Sequence, residues 1–144
     1  SNNRHIKPGV LELLGILNKR GIYTGLLTGN IEEGAWFKLK SFNISQYFTF
    51  GGFSSDDEER DKLLPIALKK LYDKFKLNIQ PEESLVIGDT PRDVTCAKPH
   101  GAKVLGVATG SYSCEELKSY GADWVLDDLS NTDIIKNEIL YLEE

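Results

Sequence analysis

The nine residues VIGDTPRDV, from Val86 to Val94, decide the fold of this chain. A short apolar run ends at Gly88, the carboxylate of Asp89 follows at once, and Asp93 comes four residues later. In open α/β sheets, ligands bind where buried parallel strands end and helices begin. Mg²⁺ takes oxygen ligands from one or two carboxylates, with water and substrate completing the set. We therefore predict a metal site in which Asp89 is the direct ligand, while Asp93 orients bound water or braces the neighbouring loop. The alternative is that Asp89 caps the helix and Asp93 is a solvated charge.

A second strand end of similar shape lies upstream, in the stretch LLTGN from Leu26 to Asn30. The hydroxyl of Thr28 can donate to a phosphate oxygen, and Gly29 lets the main chain approach closely. The start of the next helix, near Asn30, offers unpaired N–H groups to an anion. We predict a substrate-binding turn formed by Thr28, Gly29 and Asn30, which shares a pocket with Asp89. The alternative is simple helix capping by Thr28 or Asn30.

Two basic residues, Arg60 and Lys62, precede an amphipathic helix and are candidates for a catalytic cation. A cation there would hold a phosphate and neutralise the charge that develops on it. The sequence does not choose between the two residues. Both could also be solvated charges, because residues 56–59 are all acidic.

Apolar periodicity alternates between strands and helices along the whole chain, which is typical of a parallel sheet covered by helices on both faces. We predict one three-layer α/β/α Rossmann-like domain spanning residues 1–144. The predicted helices begin at Pro8-Gly9, Ile31, Leu63, Pro91, Ser113 and Asn131, and the predicted strands cover residues 22–27, 47–50, 84–87, 103–108 and 124–126, with a loop over 51–61.

Composition limits the classes of partner. The chain has 144 residues, 40% hydrophobic, and a net charge of −5 without a basic stripe, which argues against binding nucleic acid or an anionic membrane. The two cysteines, Cys96 and Cys114, are expected to be free thiols in a reducing compartment. No apolar run approaches the ~20 residues of a membrane span. We therefore expect a cytoplasmic protein.

Four segments, at 7–30, 60–71, 86–110 and 121–131, together resemble the haloacid dehalogenase superfamily, especially its phosphoglycolate-phosphatase-like members. The resemblance implies that Thr28 binds phosphate and that Asp89 and Asp93 hold Mg²⁺. It also implies that Arg60, with Lys62 behind it, replaces the usual lysine. The expected partner is a small phosphorylated metabolite.

One family motif is missing. Asp-x-Asp-Gly-Thr, whose first Asp attacks phosphorus and whose second is the general acid and base, occurs nowhere in the chain. In the family that motif ends a strand lying between the strands that end at Thr28 and Asp89, and a helical cap follows it. We therefore expect a core that is incomplete at its N-terminal strand, in a chain that is the C-terminal part of a longer protein. The absence of methionine agrees with this expectation. If the chain folds alone, a gap, a new strand order or a borrowed strand must be present.

The leading functional hypothesis is therefore a magnesium-dependent phosphatase that acts on a small phosphomonoester through an aspartyl-phosphate. This chain, without the nucleophile, is expected to be inactive alone, and the missing N-terminal segment of the same protein is its expected partner. A mutase of the same fold is an alternative, whereas a dehalogenase is disfavoured because dehalogenases need no metal. A non-catalytic phosphate-binding or regulatory domain is the alternative from another class.

Overall fold

The computed structural model describes residues 6–142, in which strands and helices alternate as predicted. Turns of 3₁₀ helix lie at Ser45–Tyr47, Arg60–Lys62, Pro81–Glu83 and Lys98–His100. The strands are β1 (Gly25–Leu27), β2 (Phe50–Gly52), β3 (Leu85–Gly88), β4 (Lys103–Val107) and β5 (Trp124–Leu126). The α-helices are α1 (Val10–Lys19), α2 (Glu32–Ser41), α3 (Leu63–Phe75), α4 (Pro91–Thr95), α5 (Cys114–Ser119) and α6 (Thr132–Ile134), the last continued by a π-helix at Ile135–Ile139.

All strand pairs are parallel, but they form two separate sheets. One sheet contains β1 and β2, and the other has the order β3-β4-β5. Among residues 6–142, no ladder joins β1 to β3, so each of these strands has one edge without a strand partner. Small sheets of this kind fit the expectation of an incomplete core with a gap.

Helices on both faces hold the two sheets side by side. On one face, α1 packs Leu13 and Leu17 against the β3-β4-β5 sheet and Leu14 against the side of β1. On the other face, a cluster that includes buried leucines of α3 contacts both Leu27 of β1 and Val86 of β3. Burying a leucine side chain stabilises the fold by about 1.5–3 kcal/mol, so this shared core aligns the two sheets without strand pairing.

The predicted position of β2 is wrong. Strand 47–50 was expected and 51–61 was expected to be a loop, but the strand is Phe50–Gly52 and a 3₁₀ turn precedes it. A Cβ on Gly51 would lie 2.7 Å from the carbonyl oxygen of Leu26, and one on Gly52 would lie 2.6 Å from that of Leu63. The two glycines therefore serve close packing against β1 and α3, which a local pattern cannot show.

The C-terminal helix is also less regular than predicted. Instead of one helix from Asn131 to Leu142, a single turn of α-helix leads into a π-helix that ends at Ile139. Its buried residues, Ile135 and Ile139, are two of those expected to point inward. No helix within residues 6–142 has the length and apolar character needed to cross a membrane.

Candidate active site

Asp93 organises the turn that follows β3. Thr90 is the N-cap of α4, and its hydroxyl accepts a hydrogen bond from the Asp93 N–H over 3.3 Å. In return, Oδ2 of Asp93 accepts from the main-chain N–H of Asp89 at 3.1 Å and from the N–H and hydroxyl of Thr90, both at 3.0 Å. A Cβ on Gly88 would lie 2.3 Å from the Cβ of Asp93, so only glycine admits this arrangement. Through these hydrogen bonds, Asp93 stabilises the loop that follows β3.

Arg60 connects this turn to the other sheet. It lies in the 3₁₀ turn between β2 and α3, and its Nη2 donates to Oδ1 of Asp93 at 2.9 Å. The pair is largely shielded, with 21% and 18% of the two side chains exposed. Nη1 of Arg60 lies 3.6 Å from where a Cβ on Gly29 would be, beside the end of β1. The guanidinium therefore stands between the ends of β1 and β3.

Only part of the guanidinium is engaged. Nε of Arg60 is buried and has no hydrogen-bond partner within residues 6–142. Lys62, the other cation that the sequence left open, pairs instead with Glu59 at 3.3 Å, and more than half of each side chain is exposed. The structure thus brings Arg60 to Asp93 and leaves Lys62 at the surface. No contact of Lys62 within the described residues supports a catalytic role for it.

The turn after β1 is tied to a second turn. Oγ1 of Thr28 accepts from the N–H of Asn30 at 3.1 Å, and the carbonyl of Asn30 accepts from the N–H of Ser54 at 2.9 Å. The N–H of Glu32, in the first turn of α2, donates to the hydroxyl of Ser55 at 3.1 Å. The sequence missed Ser55 because it lies 23 residues away from the helix that it caps. Gly29 and Asn30 stay exposed at the strand end.

The carboxylate of Asp89 is available to bind a ligand. It accepts no hydrogen bond or ion pair from the described part of the chain, and it lines a cavity of about 260 Å³ together with Asp93 and Thr109. A Cβ on Gly110 would lie 2.9 Å from Oδ2 of Asp89, so the glycine leaves room for the carboxylate. Thr28 is not among the described residues that line this cavity. The predicted shared pocket of Thr28 and Asp89 stays a prediction, and Arg60 lies between their two strand ends.

The donor set fits part of a magnesium site. Within residues 6–142 there is no group of three or more His, Cys, Asp or Glu side chains that could hold a metal ion. The partnerless carboxylate of Asp89 fits one Mg²⁺ ligand, because this ion keeps several waters and binds substrate oxygens directly. Both oxygens of Asp93 are already engaged. Of the predicted pair, Asp89 fits direct coordination and Asp93 fits support of the loop.

Cys96 is buried beneath the ion pair, where its thiol lies 3.8 Å from the carbonyl of Asp93. Burial raises the pKa of this thiol, and the positive charge of Arg60 only partly opposes that effect. Because the thiolate is the reactive form, Cys96 is expected to be inert. Both cysteines are free, as predicted.

Comparison with known proteins identifies the family. The sequence pattern described as haloacid dehalogenase-like hydrolase matches residues 2–107, which is more than half of the chain. The chain belongs to the haloacid dehalogenase-like hydrolase family. The resemblance to phosphoglycolate phosphatases is also confirmed: the chain is 34% identical over 128 residues to the phosphoglycolate phosphatase of Rhodospirillum rubrum, covering 88% of this chain and 51% of that protein.

Other known proteins match over similar shares. The pyrophosphatase PpaX of Anoxybacillus flavithermus is 29% identical over 122 residues, which cover 85% of this chain and 55% of the relative. The crystal structure of β-phosphoglucomutase from Clostridium difficile superposes with a TM-score of 0.75 at 22% identity, covering 94% of this chain and 56% of that one. This structural likeness confirms the α/β fold. The chain spans about half the length of the curated relatives it matches.

Proposed function

We propose that this chain forms the phosphate- and magnesium-binding half of a phosphatase site that acts on a small phosphomonoester of the phosphoglycolate type. One observation carries the proposal. Arg60 is held by Asp93 at 2.9 Å between the ends of β1 and β3, and Asp93 also accepts from the main-chain N–H of Asp89. Within residues 6–142, Nε of Arg60 and the carboxylate of Asp89 have no hydrogen-bond partner. A fixed cation and a carboxylate available to Mg²⁺ are two of the groups that phosphoryl transfer uses.

Each side chain has a distinct task. Asp89 would hold Mg²⁺, and the bound ion would supply positive charge to a phosphoryl oxygen. Arg60 donates hydrogen bonds to the phosphate from the guanidinium nitrogens that Asp93 leaves free. The hydroxyl of Thr28 and the main chain of Gly29 and Asn30 bind the remaining oxygens. Asp93 does not touch the substrate, because its role is to fix Arg60 and the loop after β3.

The nucleophile would come from another segment of the protein. The chain has no Asp-x-Asp-Gly-Thr, and the free edges of β1 and β3 offer a place for a strand that carries it. An aspartate oxygen would bond to phosphorus while the ester oxygen leaves and takes a proton from the second aspartate. Water would then hydrolyse the aspartyl-phosphate to orthophosphate and restore the carboxylate. The chain alone is therefore expected to bind orthophosphate without turnover.

Two measurements on residues 1–144 test this proposal. A phosphatase assay with phosphoglycolate and Mg²⁺ should show no turnover, whereas turnover at rates typical of the family would overturn the predicted inactivity. Calorimetry with orthophosphate should show binding that Arg60→Ala weakens about tenfold, the loss of one charge-assisted hydrogen bond. Lys62→Ala is the matched control from the same turn and should change the affinity less than about twofold. Equal effects of the two substitutions would contradict the role of Arg60.

A third observation distinguishes the phosphatase from the non-catalytic alternative. An Asp-x-Asp-Gly-Thr encoded upstream of Ser1 in the same reading frame would favour the phosphatase. Orthophosphate binding without any such segment in the protein would instead favour a phosphate-binding domain.

A further inference from the structure

His100 makes a contact that the proposed function does not use. It is the last residue of the 3₁₀ turn Lys98–His100, which precedes β4, and its ring Nε2 is hydrogen-bonded to the main-chain carbonyl of Asp61. Asp61 is the neighbour of Arg60 in the turn between β2 and α3. A carbonyl oxygen only accepts hydrogen bonds, so the proton of the neutral ring must be on Nε2.

This contact gives the Arg60 turn a second point of attachment. Arg60 is bonded to Asp93, and the adjacent Asp61 is bonded to His100, on the segment that runs from α4 towards β4. The ion pair fixes only the end of the Arg60 side chain, and the buried Leu63 anchors the end of the turn. The bond to His100 fixes the main chain between these two points, where both Asp61 and Lys62 are otherwise exposed to solvent.

We propose that His100 is a positioning residue for Arg60. Its Nε2–H holds the carbonyl of Asp61, and this bond keeps the free guanidinium nitrogens of Arg60 aimed at the space between the ends of β1 and β3. The choice of phosphate as the ligand rests on the proposed function. The positioning itself concerns only residues of this chain and can be measured without a ligand.

The test compares His100→Ala with His100→Gln in residues 1–144. The readouts are solvent exchange of the Arg60 Nε–H, followed by NMR, and orthophosphate affinity, measured by calorimetry. Without the bond, we expect His100→Ala to speed this exchange and weaken orthophosphate binding, each about fivefold to tenfold, the equivalent of one hydrogen bond. The glutamine amide can still donate to Asp61, so His100→Gln should stay within about twofold of the wild type.

Lys98→Ala is the matched control. Lys98 lies in the same turn, and its Nζ is 2.9 Å from Asp123, so its loss weakens this segment without touching the Arg60 turn. We expect Lys98→Ala to lower stability but to leave the Arg60 Nε–H signal unchanged. The proposal is overturned if His100→Ala leaves that signal unchanged, or if Lys98→Ala changes it as much.

Two further outcomes keep this proposal separate from the proposed function. If the wild-type chain does not bind orthophosphate, the proposed function fails, and the Arg60 Nε–H signal still decides the role of His100. If His100→Ala does not fold, the long-range ¹H–¹⁵N spectrum of the wild type at pH 8 decides. A slowly exchanging proton on Nε2 supports the bond to Asp61, and a rapidly exchanging one or a proton on Nδ1 overturns it.

Discussion

Nη2 of Arg60 and Oδ1 of Asp93 lie 2.9 Å apart, although the two residues are 33 positions apart and follow strands of different sheets. By contrast, the ion pair Lys70–Asp56 joins two segments that follow β2, and the pair Lys98–Asp123 joins the segments that precede β4 and β5 of one sheet. The Arg60–Asp93 pair therefore connects two sheets that share no strand ladder. In the proposed function the same pair positions the charge that binds phosphate, so one contact would serve both the fold and the chemistry.

Removing Asp93 should be costly. Asp93→Ala removes the partner of Arg60 and also the oxygen that accepts from Asp89 and Thr90. A lost helix cap costs about 1 kcal/mol, and a charge left without its partner costs more. We expect urea denaturation to show a loss of about 2–4 kcal/mol. Asp73→Ala, which breaks the exposed pair with Lys69, is the control and should cost less than about 0.5 kcal/mol. Similar losses for the two variants would refute the bracing role.

The free carboxylate of Asp89 should determine the response to Mg²⁺. An ion that binds only the native state raises the melting temperature as its concentration increases. We expect millimolar Mg²⁺ to raise the melting temperature of residues 1–144 and EDTA to reverse the rise. Asp89→Asn should abolish this response, because the amide is a neutral and weaker ligand. Asp73→Asn removes an equal charge on α3 and should keep the response. An Mg²⁺ effect that survives Asp89→Asn would exclude Asp89 as the ligand.

Two glycines should respond in opposite directions to alanine. A Cβ on Gly88 would lie 2.3 Å from Asp93, so Gly88→Ala must displace the start of α4 and should cost about 1–3 kcal/mol. Gly15, within α1, has nothing within 4 Å of its Cβ position. Gly15→Ala should therefore stabilise the chain by about 0.5–1 kcal/mol. Thermal unfolding of both variants checks this pair, and a stable Gly88→Ala variant would contradict the packing described for Asp93.

The sequence predicted the features that local patterns encode. The amphipathic helix α3, a strand just before Asp89 and a helix that begins at Ser113 are all present as expected. It failed where distant residues decide the local structure. Gly51 and Gly52 lie in a buried strand, because β1 and α3 pack too close to their backbone for any side chain. The sequence could not choose between Arg60 and Lys62, since only the fold shows which of them faces Asp93.

Acid should destabilise the chain partly through Asp123. Burial tends to raise the pKa of this carboxyl, but hydrogen bonds from Lys98 and from the N–H of Val104 outweigh burial and lower it. A carboxyl whose pKa is lowered by folding stabilises the protein above its unfolded pKa, about 3.9, and this contribution is lost as the pH falls through the folded value. Urea denaturation between pH 6 and pH 3 should show a smaller loss for Asp123→Asn than for wild type. An equal loss would exclude this carboxyl as a cause.

The free edges of β1 and β3 should be visible in hydrogen exchange. In a parallel strand, successive residues direct their main-chain groups to opposite sides. The carbonyl of Ser84 accepts from the first N–H of β4, so Val86 also faces β4, whereas Ile87 faces the gap. By the same alternation, Leu26 faces β2 and Leu27 faces the gap. A main-chain hydrogen bond contributes about 1 kcal/mol, so the N–H groups of Leu26 and Val86 should exchange roughly tenfold more slowly than those of Leu27 and Ile87. NMR on residues 1–144 measures all four rates in one sample. Equal protection would mean that another strand, such as one from a second copy of the chain, fills the gap in solution.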